Sequence, residues 1–226
     1  MACRWAASST GWTTARSPPR SRRDGRYEES ALSGETLAAL AVALGAGWAS
    51  GLNTYAAVLV LGAAQRLGFV TLPHDLQVLA SPWVMGVAAI LFALNFFADK
   101  IPYIDSLNDL LHTVVRVPAG ALLAYGAADQ LGPEVGVIAG LLGGTLAAGS
   151  HVAKTGSRAL INASPEPLSN IAASFAVDGM VIGGLVLAIA HPITFLLLLA
   201  LFVAALIWLL PKLVRLALLP LRRLSR

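Results

Sequence analysis

Pro192 to Leu210 reads PITFLLLLALFVAALIWLL, a run without a single charge. At 1.5 Å per residue a helix of that length spans about 28 Å, close to the ~30 Å hydrocarbon core of a bilayer. The rest of the chain is of the same kind. Of 226 residues, 57% are apolar and 28 carry charge (Lys+Arg 16, Asp+Glu 12). Fifteen of those charges lie in the first 35 and last 15 positions, leaving 13 between Thr36 and Pro211. A soluble domain carries roughly 25% charge, and a chain this apolar must hide from water. Both a soluble fold and a disordered body are excluded, and an all-α polytopic bundle is expected.

About six spans follow from the apolar runs. The first covers Thr36 to about Ala64, roughly 43 Å of helix, too long for an untilted crossing. It holds Gly45, Gly47 and Gly51 and then the polar run Ser50-Gly51-Leu52-Asn53-Thr54-Tyr55, so it is either strongly tilted or broken in the middle. The others run from Pro82 to about Ala98, Leu107 to Ala127 with a kink at Pro118, Glu134 to Lys154, Asn170 to Ala190, and Pro192 to Leu210. Residues 1–35, rich in Arg and Ser, read as a disordered cytoplasmic tail or a start codon placed too early. Residues 211–226 read as a basic tail. With six spans and a cytoplasmic N-terminus, 14 Lys and Arg fall inside and only Arg66 outside, which places both termini in the cytoplasm of an inner membrane.

The positive formal charge of +4 therefore marks topology, and nucleic-acid binding is excluded. Cys3 is the only cysteine, which removes disulfides and multi-Cys metal sites. Gly136, Gly140 and Gly144 recur every fourth residue, and Gly179 and Gly183 repeat the spacing. Such stripes let helix backbones approach in lipid, within one bundle or between copies in a homo-oligomer. The two halves share a loose plan that hints at internal duplication.

Ionisable groups inside spans cost about 2.5–3.5 kcal/mol each on insertion scales, so each needs pairing, water or a function. Asp105, Asp109, His112 and Arg116 fall on one face of the third span, with Asp99 and Lys100 just upstream. They read as an internal ion-paired stripe, a proton or cation path, or a weak metal set made of Asp105, Asp109 and His112. His151, Lys154 and Arg158 share a face at the end of the fourth span. They suit topology marking by snorkelling, or an anionic headgroup or solute. In the loop from Asn162 to Asn170, Ser169 or Asn170 is expected to cap the fifth helix, and Glu166 to pair with Arg158 or Lys154. Asp178 stands alone inside the fifth span, with Arg116 as its expected partner. Asn53 and Tyr55 mark the break in the first span.

No nucleotide, zinc-protease or hydrolase motif occurs, and no cofactor is implied. The run from Ala98 to Leu107 (ADKIPYIDSL), followed by His112-Thr113 and Arg116-Val117-Pro118-Ala119-Gly120-Ala121, resembles a bacterial integral-membrane family, the domain of unknown function DUF4126. His151, Lys154, Arg158, the loop from Asn162 to Asn170 and Gly51-Leu52-Asn53-Thr54-Tyr55 also fit, so that the resemblance covers about Ala38 to Ala190. It departs at Val117, where the family tends to carry Pro, and at Val177, where it tends to carry Glu. The loss of that acid weakens any two-carboxylate scheme at Asp178. The resemblance implies class and location but no activity.

The leading functional expectation is a transporter or channel-like protein for a small or anionic solute. Its path would draw on the polar residues named above, from Asn53 to Asp178. The alternatives are a structural or headgroup-binding protein, with membrane lipid as partner, and a metal-dependent enzyme acting on a lipid phosphate.

Overall fold

The computed structural model describes residues 22–101, 104–162 and 167–224. The chain divides into two compact units, Met1–Gly34 and Glu35–Arg226, and the packing described below is that of the second. The helices are α1 (Arg22–Arg66), α2 (Pro82–Ala98), α3 (Ile104–Ala128), α4 (Pro133–Asn162), α5 (Pro167–Ala190) and α6 (Pro192–Leu224), with short 3-10 turns at His74–Ala80 and Asp129–Leu131. No strand occurs among the described residues. Among the described residues, four of the six helices begin on proline, whose missing N–H costs nothing in a first turn and whose ring presets helical φ.

Among the described residues, four helical stretches are long and apolar enough to cross a membrane alone: Ser33–Arg66, Pro133–Arg158, Ile171–Ala190 and Pro192–Leu209. A fifth crossing arises if His74–Ala80 and α2, bent by 63° at their junction, count as one broken span. Among the described residues, four or five spans thus stand by length and composition where about six were expected; α3, whose first half carries Asp109, His112 and Arg116, is not among them.

Other boundaries move as well. α1 extends back to Arg22, into the stretch read as a tail. α4 runs on to Asn162, so Lys154 and Arg158 lie within a helix and not at its end. α5 starts at Pro167, so Ser169 and Asn170 are inside the helix and neither is its cap. α3 continues through Pro118 as one helix.

α1 is the central helix. Two thirds of its apolar window is buried, against 11% for α6. Its inner surface is built from small residues, with Ala41, Ala43, Ala46, Ala49 and Ala57 all fully enclosed. Gly47 lies on Gly143 of α4, and a Cβ on Gly51 would overlap the Ala147 carbonyl and the Ser150 hydroxyl. Glycine is required where two backbones meet this closely. The stripe of Gly136, Gly140 and Gly144 packs on Ala121 and Tyr125 of α3, within the bundle. Trp48 fixes α6 to α1 by meeting Phe195 and Phe202 edge-on, with centroids 6.2 and 6.1 Å away. The outer faces of α5 and α6 expose Ile182, Val186, Leu197 and Leu201, a surface that acyl chains cover at little cost and water does not.

Candidate functional site: a broken helix around a buried ionic cluster

α1 breaks at Asn53. Its φ of −155° and ψ of 97° are extended inside an otherwise helical run. The side chain explains how the second half restarts: Asn53 Oδ1 accepts the backbone N–H of Ala56 at 3.2 Å, three residues on, which is the N-cap arrangement. The first half ends with carbonyls that lack helical donors. Thr54 Oγ1 donates to the Ser50 carbonyl at 3.0 Å, and Lys154 Nζ donates to the Leu52 carbonyl at 3.2 Å. An ammonium at a helix C-terminus also meets the negative end of the dipole. Ser150 donates to the Trp48 carbonyl at 2.8 Å, and Ser50 ties the break to α3 by donating to the Arg116 carbonyl at 3.0 Å. The carbonyls of Trp48, Ser50 and Leu52 thus have protein donors, as backbone at membrane depth requires.

The break adjoins a buried ionic cluster drawn from α2, α3 and α4. Asp109 is its hub. Arg116 NH1 lies 2.7 Å from Asp109 Oδ1, Lys154 Nζ 3.1 Å from the same oxygen, and Arg158 Nε 3.5 Å from Oδ2. Asp99, at the end of α2, is the second acid, with Lys154 Nζ and Arg158 NH2 at 2.9 and 3.2 Å from its Oδ2. Arg158 NH1 also donates to the Asp99 carbonyl at 3.1 Å. All five side chains are about 2% exposed or less. Such charges persist in an apolar interior only when paired and hydrogen-bonded.

Amides and imidazoles complete the network. Asn108 Nδ2 donates to Asn95 Oδ1 at 2.8 Å and to Asp99 Oδ1 at 3.1 Å. Arg116 NH1 faces His151 Nδ1 at 3.0 Å. A guanidinium can only donate, so Nδ1 accepts and the His151 proton sits on Nε2, donating to Thr113 Oγ1 at 2.7 Å. Thr113 passes its own proton to the Asp109 carbonyl at 3.0 Å. His112 has the opposite tautomer. Its Nδ1 donates to the Asn108 carbonyl at 2.8 Å, which leaves Nε2 to accept the Tyr55 hydroxyl at 3.1 Å.

Asp178, halfway along α5, reaches the break from the other side. Asn53 Nδ2 donates to its Oδ1 at 3.0 Å. This replaces the expected pairing with Arg116, which Asp109 holds instead. Lys100 stands at the rim, half-buried. Its Nζ lies over the Phe96 ring at 2.8 Å from the centroid and 4.4 Å from that of Phe175.

The sequence therefore brings Asn53, Asp99, Asp109, Arg116, His151, Lys154, Arg158 and Asp178 together, with Tyr55, His112 and Lys100 adjoining. The side chains of Asp105 and Asn170, and all of Glu166, lie outside the described residues, and with them the expected ion pair of Glu166. Lys154 and Arg158 are enclosed by protein and do not form the headgroup-facing surface expected of them. Asp109 is engaged by three cations, which repel a metal ion. Among the described residues no group of three His, Cys, Asp or Glu is placed to hold one.

Residues 40–212, most of the chain, match the family described as a domain of unknown function, DUF4126. The chain belongs to this family. Comparison with curated proteins and with solved structures gives no match. The DUF4126 match runs beyond Ala190, where the sequence resemblance was drawn, and takes in the apolar length of α6. Within this DUF4126 protein the network also uses Asn95, Asn108 and Ser150, which the sequence reading passed over, and Ser50 and Thr113, which it quoted without a partner. Asn95 carried a signal: it is an amide in an otherwise apolar helix, one turn before Asp99 and on the same face.

Proposed function

We propose that this membrane protein carries a small, anionic solute through the bilayer, as a transporter or channel-like protein. The supporting observation is that α1 breaks at Asn53 inside a buried cluster of three cations and two acids. Half-helix ends at membrane depth supply partial charges to a solute without covalent chemistry, and Arg116, Lys154 and Arg158 favour an anion. We place the protein in the inner (cytoplasmic) membrane with both termini in the cytoplasm, as its basic flanks favour. Four spans keep both termini on one side and five do not, so protease accessibility of tags at each end tests this placement.

The transport reading is tested by solute flux into proteoliposomes, comparing wild type with Arg116→Ala and Asp178→Asn. Flux that both variants reduce by tenfold or more supports it, and flux unchanged in both removes it. A second reading has its own support, since Lys154 and Arg158 of α4 are held by Asp99 at the end of α2 and Asp109 of α3. On that view the cluster is a structural lock. It predicts variants that unfold more easily and no flux in any of them.

A further inference from the structure

We infer that α1 is a re-entrant helical hairpin. Residues 36–52 enter the bilayer, the chain turns at Asn53, and residues 54–66 return to the side it came from, with the buried ionic cluster closing the bundle beyond the tip. Length and apolarity alone mark Ser33–Arg66 as one crossing. The path of the backbone is different.

The direction of the first half is fixed by α3. The Gly47 carbonyl oxygen lies against Gly120, and Ser50 Oγ donates to the Arg116 carbonyl at 3.0 Å. Residue numbers rise along α1 as they fall along α3, so this half runs antiparallel to α3, toward its N-terminal end. If α1 continued in line, Gly62, 12 residues past Ser50, would lie about 18 Å beyond the level of Arg116. Gly126, 10 residues past Arg116, lies about 15 Å on the other side of that level. The two glycines would then be about 33 Å apart along the axis.

They are much closer. A Cβ on Gly62 would overlap the Leu79 carbonyl, and one on Gly126 would meet the Leu76 side chain. Leu76 and Leu79 share the 3-10 turn His74–Ala80, in which three residues rise about 6 Å. Summing bonds and contacts along that route puts Gly62 within about 20 Å of Gly126. α3 follows α4 on both sides of Pro118, with Thr113 meeting His151 and Tyr125 meeting Gly136, so a bend in α3 does not make up the difference. The second half of α1 therefore makes no advance past the break and turns by a right angle or more at Asn53. Gln65 Oε1 accepts the Leu72 N–H at 2.6 Å and Arg66 NH1 donates to the Ala80 carbonyl at 3.5 Å, which ties the same 3-10 turn to the end of α1.

The same register shows what lies beyond the tip. Asp109 is seven residues from Arg116 toward the N-terminal end of α3, about 10 Å further than the level of Ser50. Asp99, Lys154 and Arg158 gather there, so paired side chains and not α1 backbone fill that part of the interior. Re-entrant backbone is tolerated at membrane depth where protein covers it, and the Asn53 cap and the Lys154 bond to the Leu52 carbonyl provide that cover.

The test uses the full chain with Cys3, its only cysteine, replaced by Ser. Spin labels are placed at Leu37→Cys and Leu67→Cys, both exposed. A straight helix separates these positions by about 45 Å, and a turn of a right angle or more brings them to about 30 Å or less. The shorter electron–electron distance is expected in detergent and in lipid nanodiscs, and the longer one overturns the inference. Glu35→Cys and Leu67→Cys, taken singly, are then treated with a membrane-impermeant maleimide in intact cells and in vesicles of the opposite orientation. Reaction from the same side is expected, and reaction from opposite sides overturns re-entry even where the distance is short. If either site does not react, the distance decides alone. Neither readout depends on flux, so the hairpin stands or falls separately from the transport reading.

Discussion

Asn53 and Asp178, 125 residues apart in sequence, meet through a 3.0 Å hydrogen bond at the point where α1 stops being helical. The same amide that binds Asp178 with its nitrogen caps the second half of α1 with its oxygen. Asn53→Ala therefore removes a cap, worth about 0.5–2 kcal/mol, and strips a buried acceptor of its donor, worth about 1–3 kcal/mol. Thermal unfolding in detergent should show the variant destabilised. Asn53→Asp should be worse, because it sets a second carboxylate against Asp178.

Asp109 is the carboxylate on which Arg116, Lys154 and Arg158 converge. Asp109→Asn keeps the shape and deletes the charge, leaving buried cations short of an anion at a cost of about 3–5 kcal/mol. Adding Lys154→Met, which removes one of those cations, should recover part of the loss. A double-mutant cycle on denaturant midpoints measures the coupling, and strict additivity would show that the two side chains do not interact.

Close backbone approach makes a sharper steric prediction. Gly51→Ala drives a methyl into the Ala147 carbonyl and the Ser150 hydroxyl, and overpacking of this kind costs about 1–3 kcal/mol. Gly183→Ala adds a methyl with nothing within 4 Å and should leave the melting temperature unchanged. Equal effects of the two would contradict the packing described for α1 and α4.

Lys100 gives a chemical readout. Burial against Phe96 and Phe175 pulls its pKa below the usual lysine range, with Asp178 and Asp99 acting in the opposite direction. The neutral amine is the nucleophile, so the pH midpoint for acylation of Lys100, read by peptide mass spectrometry, should lie below that of a free lysine. Phe96→Ala admits water and should move the midpoint up. The linkage has a definite sign: the unfolded chain binds this proton more tightly, so the contribution of Lys100 to stability grows as pH rises from its folded pKa towards lysine's ordinary value.

Helices and their order were readable because lipid imposes a simple rule of long apolar runs, and prolines punctuate them. The break at Asn53 was readable too, since glycines and hydrogen-bonding side chains cluster where the run is too long for one crossing. Pairing was readable only within α3, where Asp109 and Arg116 share a face seven residues apart. That Asp178 meets Asn53 and not Arg116 depends on how α5 is rotated about its axis, and spacing along one chain carries no information about that rotation. The burial of Lys154 and Arg158 was misread for a related reason: α4 continues to Asn162, two turns beyond the apolar stretch, so side chains that resembled terminal anchors are interior. α3 is not among the spans that length and apolarity mark in the described residues, and its Asp109 and Arg116 are buried inside the protein.

The interruption of α1 is made without proline and without a glycine at the break itself. A ring or a missing Cβ would fix a bend whatever its neighbours did, whereas here one amide, gripping its own chain on one side and α5 on the other, holds the joint open. The Asn53 amide serves both sides at once, so the geometry of the central helix at this point depends on a side chain of a different helix.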